Sequence, residues 1–137
     1  MTKTNLITTQ TQRLHADFGL HPVTAAEIEF YLHGSEGRDL TPFWQAVSKR
    51  IPLLKYEKER GREQYEVALA PVADPVKTAE ELRALKAVLS EEAEGMGIRA
   101  DFSAKPLSDQ PGSGLHIHIH LADEQGKNVF FKRDEEI

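Results

Sequence analysis

His116, His118 and His120 alternate with Leu115, Ile117, Ile119 and Leu121. On a β-strand this order puts the imidazoles on one face and the aliphatic side chains on the other, which would turn toward a core. Successive imidazoles then stand about 7 Å apart, from a rise of roughly 3.3 Å per residue. Side chains so placed can bind metal or phosphate, or simply stand in water. Glu27-x-Glu29 sets two carboxylates on one strand face in the same way, and Glu59 and Glu66 flank a turn at Gly61. Any of these alone reads equally well as a solvated face. Together they describe a surface where carboxylates repel one another unless something positive sits among them. The chain has no cysteine, so a metal here would be held by oxygen and imidazole ligands. Such a set favours Mg²⁺ or Mn²⁺ at the carboxylates, with Zn²⁺ an alternative near the histidines.

The elements that must position these groups follow from periodicity. Residues 1–21 are polar and weakly patterned, and the sequence assigns this arm no structure. Val23–Leu32 reads as a strand with Ile28, Phe30 and Leu32 alternating against Glu27, Glu29 and Tyr31. Leu40–Ile51 reads as a helix begun by Asp39 or Thr41 and Pro42, with Trp44 in its apolar side. Leu53–Arg60 and Glu63–Ala70 form a hairpin around Gly61. Asp74-Pro75 starts a helix that Gly95 and Gly97 stop, with Val76, Ala79, Leu82, Leu85, Leu89 and Ala93 inward. Ile98–Lys105 is a strand with Ala100, Phe102 and Ala104 inside. The histidine strand follows, and Val129–Phe131 adds a short last strand. The order β-α-β-β-α-β-β predicts an α+β, two-layer domain over 22–132, its antiparallel or mixed sheet carrying both helices on one face, with a charged tail at 133–137. The other face then gathers Glu27, Glu29, Glu59, Gln64, Glu66 and the histidines.

Composition narrows the function. A chain of 137 residues, 39% hydrophobic and 28% charged, suits one soluble domain. A net charge of −5 argues against nucleic acid as a partner. With no apolar run long enough for a signal peptide or a membrane span, a cytoplasmic protein without membrane contacts is expected.

Ala26-Glu27-Ile28-Glu29-Phe30, Glu59-Arg60-Gly61-Arg62-Glu63-Gln64-Tyr65-Glu66, Ala100-Asp101-Phe102-Ser103-Ala104-Lys105-Pro106, Gly112-Ser113-Gly114-Leu115-His116-Ile117-His118 and Gly126-Lys127-Asn128-Val129-Phe130 occur in this order. In that order they resemble segments of the glutamine synthetase catalytic domain. Gly112 with His118-x-His120 and Glu124 is also similar to part of the cupin metal motif, but a long helix at 74–94 does not suit an all-β barrel. The glutamine synthetase resemblance implies ATP and a divalent cation, Mg²⁺ or Mn²⁺, as cofactors. By position, Glu29, Glu59 and Glu66 resemble the ligands of one metal, and Glu27 and His116 two ligands of a second. His118 resembles a histidine at the nucleotide phosphates, with His120 standing near the nucleotide. Gly112 resembles the glycine beside the amino-acid substrate.

Departures qualify what is carried over. Pro111 replaces an asparagine, His120 a serine and Glu63 a glycine, the last adding negative charge beside the presumed metal face. The sequence stops soon after Phe131, short of segments that supply arginines in the family. Arg60, Arg62 and Arg99 are expected at strand edges and match no family catalytic position. The expectation is therefore a glutamine-synthetase-like domain that keeps a Glu/His metal cluster but does not join glutamate and ammonia alone. The alternative is an ATP-dependent carboxylate–amine ligase, active as a homo-oligomer or with a partner chain such as a full-length relative. A third reading is an interaction domain without a ligand.

Overall fold

The computed structural model describes residues 2–131; the charged tail at 133–137 lies outside them. Eight elements follow in the order α1 (Lys3–Phe18), β1 (His21–His33), α2 (Thr41–Arg50), β2 (Lys55–Lys58), β3 (Gln64–Ala68), α3 (Pro75–Gly95), β4 (Arg99–Asp101) and β5 (Leu115–Ala122). The α+β architecture expected from the sequence is present, with an additional helix ahead of it.

That helix occupies the arm left without structure above. The Thr2 hydroxyl accepts the Asn5 N–H at its start, and Gly19, in the left-handed region at φ 66°, donates to the His15 carbonyl at its end. Both caps satisfy backbone groups that a helix terminus would otherwise leave unpaired. No residue of α1 is buried, which is why hydrophobic periodicity does not reveal it.

β1 organises the sheet. Its central residues pair antiparallel with β3 on one side, and β3 pairs with β2. On the other side β1 takes two partners end to end, β5 along His21–Ile28 and β4 along Tyr31–His33. Ala26, Ile28, Phe30 and Leu32 turn to one face, where they meet Phe43, Trp44 and Val47 of α2 and Leu85, Val88, Leu89 and Ala93 of α3. This is the core of the described residues, and the aromatic Phe30 lies within it beside Phe102, at 5.3 Å between ring centroids.

Four expectations change. The inward stripe of α3 includes Thr78 and Val88, while Ala79 is exposed; Thr78 shares a buried hydrogen bond of 2.7 Å with Thr24 of β1. β4 is shorter than expected. It ends where the Asp101 carboxylate accepts the Ser103 N–H and hydroxyl, bending the chain off the sheet. Those bonds, with His33 and Arg99 alongside, hold the Asp101 carboxyl far below the usual carboxylate range. The last strand reduces to an isolated bridge between Ala122 and Asn128.

The largest correction concerns β5. Leu115, Ile117 and Ile119 are 54%, 48% and 59% exposed rather than buried. They lie opposite Ile28, Ala26 and Thr24, so they continue the sheet's apolar face. The reason is lateral position: β5 is an edge strand, and among the described residues no helix packs against it, α3 lying over β1 and β4. Alternation fixes which side chains share a face, not whether a layer reaches that face.

Candidate metal centre

Strand register brings the acidic residues together row by row. Glu57 of β2, Glu66 of β3 and Glu29 of β1 are successive cross-strand partners. The adjacent row runs Lys55, Ala68, Glu27 and His116. Glu59 follows β2 and donates its N–H to the Gln64 carbonyl at 2.9 Å, which brings its carboxylate to the same side. Residues opposite one another in such ladders have Cβ atoms about 5 Å apart. The carboxylates are therefore neighbours because the strands pair in this register and no other.

Two groups of donors converge. Glu29, Glu59 and Glu66 offer oxygens that all lie within 4.8 Å of one another, and Glu27, Glu66 and His116 do the same. Glu66 belongs to both. These are the spacings a divalent cation needs, and the donors, carboxylate oxygens with one imidazole, suit a hard ion. The chemistry of the donor set thus fits Mg²⁺ or Mn²⁺.

Electrostatics shows the strain of the arrangement. Glu66 is only 6% exposed. Burial, and next the Glu27 charge, push its carboxyl above the usual glutamate range, while Lys55 acts the other way. Glu27 moves in the opposite direction, held low chiefly by its hydrogen bond to His118. The His118 Nε2 lies 3.0 Å from Glu27 Oε2, and His116 Nδ1 is 3.7 Å from the same oxygen. The His120 side chain makes no hydrogen bond or ion pair among the described residues, so it is on the imidazole face without joining the cluster.

The loop before β5 is fastened onto this face. Gly114 N–H donates to Glu29 Oε2 at 2.9 Å, and Gln64 Nε2 donates to the Gly112 carbonyl at 2.9 Å. The Tyr31 hydroxyl donates to the Pro111 carbonyl at 2.7 Å. Gly112 and Pro111 with Glu29, Glu59, Arg60 and Gln64 line a cavity of about 260 Å³. Arg60, just past the end of the edge strand β2, thus borders the cluster. Glu63 departs from expectation as well. Its carboxylate accepts the Glu36 N–H at 2.9 Å, turning toward the loop after β1 instead of adding charge to the metal face. Its backbone sits in the left-handed region at φ 58°.

Gly61 shows how tightly the turn must fit. A Cβ there would stand 2.3 Å from the Tyr31 hydroxyl oxygen and 2.7 Å from Gln64 Oε1. Gly61→Ala is expected to destabilise the fold by about 1–3 kcal/mol, the usual range for overpacking. Urea unfolding would register it as a lower midpoint at unchanged slope; an unchanged midpoint would contradict the close approach.

Sequence reasoning did not single out Lys55, and it gave Gln64 no more than a place on the acidic face. Lys55 places its Nζ 2.9 Å from Glu57 Oε1 and 3.4 Å from Glu66 Oε1. Its signal was register: β2 and β3 run antiparallel, so a lysine four residues before Glu59 falls beside Glu66. The anchoring role of Gln64, 1% exposed, has no signal of that kind, because its partners come from a distant loop.

Known proteins resemble this chain in sequence and in fold. The family model described as "Glutamine synthetase, catalytic domain" matches residues 44–137. Glutamine synthetase of Halobacterium salinarum is 36% identical over 92 residues, 67% of this chain and 20% of the relative. Gamma-glutamylputrescine synthetase of Escherichia coli is 28% identical over 145 aligned positions, covering 81% of this chain and 31% of that protein. Among solved structures, one titled a novel glutamine synthase homolog superposes with a TM-score of 0.83 at 25% identity, covering 96% of this chain and 34% of the other. The chain therefore spans a fifth to a third of the length of these relatives. Since the family model matches most of its residues, the chain belongs to the glutamine synthetase catalytic-domain family.

Proposed function

We propose that this chain is a glutamine-synthetase-like core that holds a divalent cation, Mg²⁺ or Mn²⁺, between Glu29, Glu59 and Glu66. Glu27 and His116 flank it as ligands of a second position. The observation that carries this reading is the sharing of Glu66 by two donor groups whose atoms lie within 4.8 Å. A cation held there would supply positive charge to offset what develops on phosphate in phosphoryl transfer. His118 stands on the same face at Glu27 and is assigned to the phosphates of ATP, with His120 further along the strand. Gly112, whose carbonyl Gln64 fixes, lines the cavity where an amino-acid substrate would lie.

The 137 residues do not ligate glutamate and ammonia by themselves. Phosphoryl transfer depends on preorganised cationic side chains as well as metals. Arg60 is the arginine that lines the cavity beside the cluster. The test is calorimetric titration with Mn²⁺, paired with an assay of phosphate release from ATP in the presence of glutamate and ammonia. Cation binding without turnover supports the reading; turnover by the isolated chain favours the alternative, a complete carboxylate–amine ligase. Absence of cation binding overturns both.

The partner reading rests on β5. Val129 N–H donates to the Leu121 carbonyl on the outer edge of β5. By alternation the backbone groups of Leu115, Ile117 and Ile119 turn the same way, and they have no partner among the described residues. An apolar edge strand with free backbone groups is a template for pairing. A second copy of this chain, or a full-length relative, is the proposed occupant. Ile117→Lys is expected to weaken self-association by about tenfold or more, the effect of removing one central anchor. Sedimentation velocity over a concentration series checks it, and a wild-type chain that stays monomeric throughout contradicts self-association.

A further inference from the structure

Lys55 stands where a cation is needed and is itself a cation. Its row across the sheet is Lys55, Ala68, Glu27 and His116, and the small Ala68 leaves the lysine free to lean over β3. There its Nζ meets Glu66 Oε1 at 3.4 Å and Glu57 Oε1 at 2.9 Å. Lys55 therefore reaches Glu66 from the row that also carries Glu27 and His116. On the Glu29 and Glu59 side the neighbours are instead Gln64 and the loop, with the Gly114 N–H on Glu29 Oε2 and Gln64 Nε2 on the Gly112 carbonyl.

We infer that the Lys55 ammonium is a built-in counter-ion for the Glu27–Glu66–His116 position, so that the chain takes one divalent cation tightly rather than two. This rests on the cation reading above and goes further, since it sets the stoichiometry and names the residue that sets it. Lysine suits the task because its charge is compact and its stem flexible. It supplies one positive charge to Glu66 without coordinating Glu27 or His116, so that position keeps its ligands while losing its appetite for a second ion. An ion entering there must displace the ammonium or sit against it. Either raises its dissociation constant by about tenfold or more, the factor that repulsion between a single and a double charge a few ångströms apart gives even in water.

The test is Mn²⁺ titration of the whole chain by calorimetry, with free Mn²⁺ followed by electron paramagnetic resonance. Wild type is expected to take one ion tightly, with any second at least about tenfold weaker. Lys55→Met should bring the second ion to within a few-fold of the first. Lys55→Arg, which keeps the charge, should behave as wild type. The side chain is about half exposed on an edge strand, so these variants leave the core intact; circular dichroism verifies this, and Lys55→Gln provides a second neutral variant. Two equally tight ions in wild type, or unchanged stoichiometry in both neutral variants, overturns the inference and leaves the cation reading standing. No ion bound by any form overturns the cation reading itself.

Discussion

Glu66→Gln is expected to weaken Mn²⁺ binding by about 100-fold or more, since partners that merely orient metal ligands already cost 10–100-fold and Glu66 belongs to both donor groups. The same substitution is expected to have the opposite effect on the metal-free protein. Glu66 is buried, and its carboxyl is raised by that burial and by Glu27. A carboxyl raised in the folded state is a destabilising charge at neutral pH; the penalty is absent below the usual glutamate range, where folded and unfolded forms are both protonated. Neutral glutamine of the same shape removes it. Without metal, Glu66→Gln should melt at or above wild type at pH 7, with the difference shrinking toward pH 4. With saturating Mn²⁺ the order should reverse, because only wild type gains stability from the bound ion. Differential scanning calorimetry with and without Mn²⁺ reads both signs. A variant that binds Mn²⁺ as wild type does would remove Glu66 from the site.

Phe30→Ala is expected to destabilise the fold by about 3–5 kcal/mol, the range for emptying a large aromatic site in a core. Phe30 is fully buried, and its ring contacts those of Trp44, Tyr65 and Phe102. Small domains are stable by only about 5–15 kcal/mol in all, so this single change uses up a large share. The consequence reaches the site through the chain itself, since Phe30 lies between Glu29 and Tyr31 and its packing holds the register of β1 against β3. Urea unfolding should show the midpoint falling steeply. Mn²⁺ affinity at low temperature, where the variant is still folded, should change far less. A loss below about 1 kcal/mol would mean that the site can collapse around the missing ring.

The sequence carries most of this site because the site is made of register. In β1, Glu27 and Glu29 must share a face, and the Gly61 turn must return Glu66 toward Glu59. Nothing beyond strand periodicity and a tight turn is needed to bring those residues near each other. The same reasoning misjudged Leu115, Ile117 and Ile119, because periodicity separates two faces without saying which is covered. It also passed over α1, whose signals were Thr2 and Gly19 at its ends rather than an apolar stripe. The contacts of Gln64 and Glu63 were unreadable for a different reason. Their partners, Gly112 and Glu36, lie in loops whose path depends on the whole fold.

The central claim is that Glu29, Glu59 and Glu66 close around one divalent cation, and a crystal grown with Mn²⁺ tests it most directly through anomalous scattering. The account predicts one strong peak among those three carboxylates, with Lys55 still resting on Glu66 and a weaker peak or none at Glu27 and His116. Carboxylates clustered as described but without an anomalous peak among them, at Mn²⁺ concentrations that load other carboxylate sites, would contradict it.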